Sequence, residues 1–280
     1  MPPARAVFWA ATLAGIGLAA RSVLAEPPSL PVALAGIGIY LAILLSGVFV
    51  LRLRMYADAI VRGPDDATGV VLTFDDGPCP ENTPRVLDAL DEAKAKATFF
   101  VIGRKAEKHP DLVKQIVARG HAIGIHGYAH DRLFALRGTE RVRRDLVKAK
   151  KVLAEILGEA PDLWRPPIGH TNPTIARVAE ELDLVTIGWS VGARDGIANA
   201  DPEAVVGRVS QGLEDGAIVL MHDAAERGDH TPAGPKALPG VLAAIAARNL
   251  TITPLRAWVD EEQGADDDED EDEAPEKPKA

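Results

Sequence analysis

The first 55 residues hold two long runs of apolar residues. Leu30–Leu51 is an uncharged run of twenty-two residues, and a helix needs about 20 to cross the hydrocarbon core of a bilayer. This run predicts a transmembrane helix. Ala6–Ala20 is a shorter run of fifteen, which predicts either a shallow second span or the apolar core of a signal peptide cut near Val23–Ala25. We therefore expect residues 1–55 to form a membrane anchor with one or two helices.

Basic residues beside these runs bear on the orientation of the anchor. Arg52, Arg54 and Arg62 follow the long run, Arg5 precedes the short run, and only Arg21 lies between the two. Cytoplasmic flanks carry an excess of basic residues, so this count favours a hairpin with both ends in the cytoplasm. A cleaved signal peptide would instead leave one span and three arginines on the outer side. The chain is predicted to be integral to the cell membrane, and the side that carries the remaining residues stays open.

After a predicted linker, 56–69, short β-rich apolar runs alternate with helix signals. Asn82, Asn172 and Asp201 each come just before a proline-containing helix start, where a capping side chain satisfies free amides and proline presets the backbone. Repeated strand–helix units over 70–259 predict an α/β domain whose parallel sheet can close into a barrel. The predicted strands are Val70–Phe74, Thr98–Ile102, Ala122–Ile125, Leu163–Arg165, Leu184–Trp189, Ile218–Met221 and Thr251–Pro254.

The charge of the chain is concentrated at its end. Residues 260–280 hold twelve acidic residues and two lysines, which accounts for the whole net charge of −10. Such a block stays solvated, so we predict a disordered acidic tail, either solubilising or docking to a partner. The remainder is balanced, and this argues against nucleic acid as a partner. The single cysteine, Cys79, excludes a disulfide framework within the chain and an all-cysteine metal site.

Candidate chemistry follows the predicted strands, at the end where parallel sheets collect their active sites. The first strand of the domain runs into Asp75 and Asp76, and adjacent carboxylates there are unfavourable unless a cation lies near them. Another strand runs into His126 and His130, a spacing that lets two imidazoles face one ion. Asp76, His126 and His130 are therefore predicted to form a metal site with two histidines and one carboxylate. The alternatives are a solvated acidic turn and a pair of surface histidines.

Two other strand ends carry single polar groups. Arg165 precedes Pro166-Pro167, and this rigid backbone would aim the guanidinium and leave later amides free to face a substrate. A rim arginine in a surface loop is the alternative. His222 ends a fully apolar strand. It is either a structural histidine bonded to a backbone carbonyl or a proton donor whose pKa is raised by a nearby acid.

In this order the motifs resemble the polysaccharide deacetylases, also called the NodB-homology or chitin deacetylase family. The resemblance implies a distorted (β/α)7-type barrel and a divalent metal ion, usually Zn²⁺. It also implies hydrolysis of an N-acyl amide, most often acetyl, on an amino sugar. The resemblance covers about 70–255 and rests on Thr73–Gly77, His126 and His130, Arg165–Gly169, Asp195, and Leu220–His222.

The resemblance implies a division of labour among these residues. Asp76, His126 and His130 would hold the metal, which polarises a water molecule and the acyl oxygen. Asp75 would be the general base that takes the proton of the water. These implied roles agree with the metal site predicted from the strand-end residues alone.

Five further residues receive roles in the same way. Arg165 would orient the general base and keep it ionised. His222 would be the general acid that protonates the departing amine, and Asp195 would orient its ring. A backbone amide near Ile168 would stabilise the oxyanion together with the metal, and Leu220 would line the substrate site.

The sequence departs from the family pattern at three glycines. Gly127 stands where serine or threonine usually follows the first histidine, Gly192 where an acid is common, and Gly196 where a tryptophan helps to wall the acetyl pocket. The motifs beside a membrane anchor predict a substrate that carries an N-acyl amino sugar, either a glycan or a lipid-linked saccharide. The alternatives are a cytoplasm-facing deacylase or deformylase of a polyprenyl-linked sugar, and a catalytically degenerate, membrane-anchored sugar-binding domain.

Overall fold

The computed structural model describes residues 1–260. The predicted acidic tail lies outside the described residues, apart from Asp260. Within the described part, the strands are β1 Ala59–Ile60, β2 Val70–Asp75, β3 Thr98–Val101, β4 Ala122–Ile125, β5 Leu163–Trp164, β6 Val185–Ile187, β7 Val191–Gly192 and β8 Ala217–His222.

These strands pair in parallel and form one curled sheet in the order β1-β6-β5-β4-β3-β2-β8-β7. The predicted α/β class and parallel sheet are confirmed. The seven-stranded barrel needs correction, because the described sheet has eight strands and β1 and β7 are its two edges. The fold is therefore a half-barrel.

Two local predictions about strands also change. Thr251–Pro254 is not a strand, since only Ile252 forms an isolated bridge to Val70, and Pro254 has no amide to continue a ladder. By contrast, β1 lies inside the predicted linker, where Ala59 pairs with Thr186. A two-residue strand is too short to leave an alternating pattern, so its partner strand and not its own sequence defines it.

Helices alternate with the strands, as predicted. Asn172 and Asp201 cap their helices, since the side chain of each accepts backbone amide hydrogen bonds. Asn82 makes no such bond, so the predicted cap at that position is wrong. The helices after the anchor are α3 Thr83–Glu92, α4 Gly103–Lys108, α5 Pro110–Ala118, α6 Thr139–Leu157, α7 Pro173–Glu180, α8 Pro202–Gly212 and α9 Gly234–Ala247.

Strand β2 lies inside the sheet between β3 and β8, and all of its residues are buried. A strand covered on both faces reads as a continuous apolar run, which explains Val70–Phe74. Its neighbour β8 is equally apolar up to its last residue. The register between these two strands sets Asp75 opposite His222. The polar residues at the carboxyl ends of both strands therefore lie side by side.

The N-terminal segment forms two antiparallel helices, α1 Pro3–Leu24 and α2 Leu30–Phe49, each long and apolar enough to cross a membrane by length and composition. The hydroxyls of Thr12 and Tyr40 lie 3.0 Å apart, which joins the helices. Arg5, at the start of α1, forms an ion pair of 2.8 Å with Asp58, which comes after α2. The start of α1 and the end of α2 therefore both lie beside the sheet domain.

Candidate active site

A cavity of about 830 Å³ opens at the carboxyl ends of the strands. Arg165 and Asp195 are fully buried and lie behind its wall. The structure therefore brings the predicted site residues together around one cavity. Those on the wall itself are Asp75, Asp76, His126, His130, Ile168, Leu220 and His222.

Asp76, His126 and His130 form the candidate metal centre. One ligand atom from each residue lies within 4.8 Å of the others. Oδ1 of Asp76 is 3.3 Å from Nε2 of His130 and 3.7 Å from Nε2 of His126. Ligand atoms about 2.1 Å from a tetrahedral zinc ion lie roughly 3.4 Å apart, so these separations suit one shared cation. Among the described residues, buried Oδ1 of Asp76 has no hydrogen-bond partner, and a cation would satisfy it.

The two imidazoles present neutral nitrogens to this position. The Arg165 carbonyl lies 2.8 Å from Nδ1 of His126; a carbonyl only accepts, so Nδ1 carries the proton and the lone pair of Nε2 faces Asp76. Burial lowers the pKa of His126 to about 3. The pKa of His130 is lowered by its own burial and by the neighbouring His126 ring. Burial raises the pKa of Asp76 to about 7, whereas a cation would favour its ionised form.

Asp75 is held by a buried arginine. Arg165 Nη1 donates to Oδ1 of Asp75 at 2.7 Å, and Nη2 donates to the Gly188 carbonyl at 2.8 Å. The guanidinium carbon also lies 4.2 Å from the ring centre of Phe100. A buried charge is tolerated when it is paired and hydrogen-bonded in this way. Oδ2 of Asp75 is left 3.7 Å from Nε2 of His126, at the metal centre.

His222 and Asp195 form a second polar pair on the other side of the cavity. Nδ1 of His222 lies 2.9 Å from Oδ1 of Asp195, and the His222 amide donates to Oδ2 at 2.7 Å. Burial alone lowers the pKa of His222, but the Asp195 carboxylate, together with the smaller effects of Asp76 and Asp75, outweighs it and the net result is a pKa of about 9. The imidazole is therefore protonated at neutral pH, as a proton donor requires.

The loops that carry these groups have strained backbones. Asp76, His130 and Ile168 have φ angles of 73°, 51° and 53°, in the left-handed region that non-glycine residues rarely adopt. Such strain collects at functional sites where surrounding contacts maintain it. One of these contacts comes from Lys105, whose ammonium donates to the carbonyls of Asp76 and Ala225 at 2.7 and 2.6 Å. No pattern in the sequence indicates this role for Lys105.

Glu226 is a second residue that the sequence analysis missed. Its Oε1 lies 3.4 Å from Nδ1 of His130, on the side of the ring that faces away from Asp76. Arg132 forms an ion pair with the other carboxylate oxygen. Nδ1 of His130 makes no hydrogen bond among the described residues, so the carboxylate acts through its charge, which increases the basicity of the ring. Glu226 follows β8 by four residues in an irregular loop, and no sequence pattern indicates it.

Asp145 explains the first of the three unusual glycines. Its carboxylate accepts hydrogen bonds from the amides of Tyr128 at 2.7 Å and Ala129 at 3.1 Å. Gly127 has a φ of 72°, and a Cβ there would lie 2.9 Å from Oδ1 of Asp145. The loop between the two histidines is therefore held by a carboxylate from α6, where the family pattern offers a hydroxyl.

The other two glycines lie against aromatic rings of the cavity. A Cβ on Gly196 would lie 3.0 Å from ring atoms of His222, and one on Gly192 would lie 3.3 Å from the Trp189 nitrogen. His230 also lines the cavity, with Nε2 2.9 Å from the Gly196 carbonyl. The wall next to the proposed acid is thus formed by a histidine from another loop.

Comparison with known proteins agrees with this arrangement. Residues 62–187 match the polysaccharide deacetylase family model. A peptidoglycan-N-acetylglucosamine deacetylase of Bacillus cereus is 39% identical over 195 residues, covering 69% of this chain and 90% of that protein. A chitooligosaccharide deacetylase of Sinorhizobium fredii is 36% identical over 169 residues, covering 60% and 78%. The crystal structure of the Bc1960 peptidoglycan N-acetylglucosamine deacetylase has a TM-score of 0.65 at 32% identity, covering 71% and 91%.

The fold and these similarities define a hydrolase that acts on carbon–nitrogen bonds other than peptide bonds. The chain belongs to the polysaccharide deacetylase family. The predicted family and enzyme class are confirmed. Deacetylation of an amino-sugar glycan is the activity that the relatives support.

Proposed function

We propose that this chain is a membrane-anchored, zinc-dependent deacetylase that hydrolyses the N-acetyl group of an amino sugar in a glycan or lipid-linked saccharide. The observation that carries the proposal is the Asp76, His126 and His130 group, whose ligand atoms lie within 4.8 Å of one another. Asp75 and His222 line the same cavity. The Bacillus cereus and Sinorhizobium fredii relatives named above support an amino-sugar substrate.

Asp76, His126 and His130 would hold the ion. Two neutral imidazoles and one carboxylate are a donor set that zinc enzymes use, with a further position open to water or substrate. When bound, the ion would act as a Lewis acid toward the attacking water and the acyl oxygen. Zn²⁺ is the ion that this donor set favours over the harder cations, which prefer oxygen ligands alone.

Asp75 would act as the general base. The bond from Arg165 to Oδ1 leaves Oδ2 on the side of the metal centre, where it can take the proton of the attacking water. The water oxygen adds to the amide carbon and gives a tetrahedral oxyanion. An amide in the turn at Ile168 would donate to that oxyanion, and Leu220 would contact the substrate from the opposite wall.

His222 would complete the reaction as the general acid. Its ring is fixed by Asp195 at 2.9 Å, and its pKa of about 9 keeps the proton available at neutral pH. Transfer of this proton to the amide nitrogen lets the carbon–nitrogen bond break, because an unprotonated nitrogen is a poor leaving group. The products are acetate and the free amino sugar.

The N-terminal helices would hold this site at a membrane. The ion pair between Arg5 and Asp58 connects α1 to the segment after α2, which favours a two-span hairpin over a cleaved signal peptide. We propose the anchor over 1–55 and the catalytic domain over 70–259, extended by β1. Protease access to a C-terminal tag in sealed vesicles would show which side of the membrane carries the domain.

Acetate release by the full-length protein in detergent tests the proposal. The substrates are an N-acetylated chitooligosaccharide, peptidoglycan and an N-acetylglucosaminyl diphosphate with a prenyl chain. Asp75→Asn and His222→Gln should each slow release from the preferred substrate by about a hundredfold or more. Asp88→Asn, on the exposed surface of α3, is the control and should retain activity. Absence of release from all three substrates, or full activity of Asp75→Asn, would overturn it.

A further inference from the structure

Arginine side chains are unusually frequent on the wall of the active-site cavity. Arg132 and Arg227 both lie against Glu226 and share its single negative charge. The others have no acidic partner among residues 1–260, and we call them the arginine group. Its members are Arg52, Arg194 and Arg208.

The arginine group leaves hydrogen-bond donors free at the cavity. Arg52 and Arg194 are exposed. Arg208 uses Nη1 to donate to the Ala193 carbonyl at 2.5 Å, which holds its guanidinium in place. A neutral N-acetyl sugar has no negative charge to pair with these guanidinium groups. A phosphate has such a charge, and its oxygens match the planar fork of arginine donors.

Arg52 connects this group to the end of the membrane helix. The amide of Thr171 donates to the Val48 carbonyl at 3.1 Å, and the rings of Phe49 and His170 lie 4.8 Å apart. The end of α2 is therefore packed on the loop after Ile168. Arg52 is three residues beyond the last residue of α2, a rise of about 6 Å in a 3₁₀ segment. The cavity mouth thus lies close to the level where α2 would leave the bilayer.

The rim of the cavity also carries exposed apolar side chains. Ile168 and Ile197 both line the cavity, with 42% and 61% of their surfaces exposed. Apolar side chains next to basic ones are the composition of surfaces that rest on anionic membranes. This rim and Arg52 favour a substrate that reaches the site from the membrane.

From these observations we propose that the arginine group binds the phosphate or diphosphate of a lipid-linked amino sugar. The lipid would stay in the bilayer beside α2, the phosphate would lie on Arg52 and Arg194, and the N-acetyl group would face Asp75 and His222. The inference rests on the proposed function, because both use the same cavity, and it selects the lipid-linked substrate over the polymeric glycan.

Binding to the full-length protein in lipid nanodiscs tests the inference separately from catalysis. The probes are N-acetylglucosaminyl diphosphate with a short prenyl chain, the same diphosphate sugar without the chain, and an N-acetylated chitooligosaccharide. Arg52→Gln and Arg194→Gln should each weaken binding of the prenyl probe about tenfold. Arg85→Gln, an exposed arginine on α3 away from the cavity, is the matched control. Wild-type affinity should fall with added salt.

The outcomes separate the possible ligands. The inference holds if the variants lose affinity for the prenyl probe and the ratio of kcat/KM for the prenyl probe to that for the chitooligosaccharide falls about tenfold. Equal losses with the chitooligosaccharide would mean that the arginines serve a glycan chain, and would overturn it. Equal wild-type affinity for the two diphosphate probes would mean that the prenyl chain does not contribute to binding, and would overturn the claim that the substrate reaches the site from the membrane. Arginine-dependent binding without any hydrolysis would refute the proposed function and leave this inference standing.

Discussion

Asp75 and His222 are register partners on the adjacent parallel strands β2 and β8. Neighbouring strands lie about 4.8 Å apart, so the proposed base and the proposed acid lie side by side at the carboxyl ends of the two strands. An amide bound between these two side chains would contact both a proton acceptor and a proton donor. The adjacent interior strands β2 and β8 thereby fix the spacing that the reaction needs.

The pair between Asp195 and His222 predicts a pH dependence. Burial lowers the pKa of His222, and Asp195 is the largest of the carboxylates that raise it, to about 9. Asp195→Asn should therefore shift the alkaline limb of the pH–kcat profile downward by about one to two units, toward the ordinary value of about 6.5. It should also lower kcat about a hundredfold, because the acid is no longer oriented or charged at the pH optimum. Asp88→Asn is the control, and an alkaline limb unchanged in Asp195→Asn would contradict this role.

The same pair predicts how stability changes with pH. A histidine whose pKa is raised on folding stabilises the folded state fully below the unfolded value of about 6.5. That contribution is lost as the pH rises through the folded value of about 9. The free energy of unfolding of the wild type should fall across this window more than that of Asp195→Asn. Denaturant titrations at several pH values measure this, and parallel curves would exclude the linkage.

The buried ion pair between Arg165 and Asp75 should matter far more than one at the surface. Arg165→Met leaves a buried carboxylate unpaired and should reduce the free energy of unfolding by about 3–5 kcal/mol. Adding Asp75→Asn should recover part of that loss, because the neutral amide removes the unpaired charge. Arg256→Met, which breaks a half-exposed pair with Asp162, is the comparison and should lose about 1 kcal/mol or less. Equal losses for the two arginines would refute this account.

Glu226 is predicted to support the metal centre through His130. Glu226→Gln removes the carboxylate 3.4 Å from Nδ1 of His130, and loss of such a partner lowers metal affinity about 10- to 100-fold. Competition between the protein and a chelator for Zn²⁺ measures the change directly, without an activity assay. Glu180→Gln, on the exposed end of α7, should bind zinc as the wild type does. An unchanged affinity in Glu226→Gln would mean that the contact is incidental.

Gly127 should tolerate alanine less well than another left-handed glycine does. Gly158 has a φ of 89° and an open space around its Cβ position, whereas a Cβ on Gly127 would also meet Asp145 at 2.9 Å. Gly158→Ala should lose about 1 kcal/mol of stability from the backbone alone. Gly127→Ala should lose more and should weaken zinc binding, since the loop carries His126 and His130. Thermal unfolding with and without zinc compares the two variants, and equal shifts would argue against a role for Asp145.

Most of the sheet could be predicted from the sequence because several of its interior strands are buried on both faces. Val70–Phe74 is apolar except for Thr73 and Ile218–Met221 is apolar throughout, and the structure places β2 and β8 there within two residues. The edge strands β1 and β7 have two residues each. Their pairing depends on distant partners, so no local pattern could reveal them, and the half-barrel was predicted as a barrel.

The site residues likewise fall into two groups, those that follow strands and those that lie in loops or in α6. Asp76 and His126 directly follow strands, and His130 comes four residues after His126. Parallel strands bring their ends together, so the convergence of these three residues could be predicted from position. Glu226 and Asp145 act by contacting residues that are remote in the chain. Their contribution depends on the paths of two loops and α6 around the histidines, which no spacing in the sequence indicates.

The most direct test of the central claim is a zinc titration of the metal-free, full-length protein, with bound zinc and acetate release measured on the same samples. We predict that acetate release is absent without metal and rises in proportion to bound zinc, up to one ion per chain. His126→Ala and His130→Ala should abolish both signals. Full acetate release from metal-free protein, or zinc bound with undiminished affinity in both variants, would contradict the claim that Asp76, His126 and His130 form the catalytic metal centre.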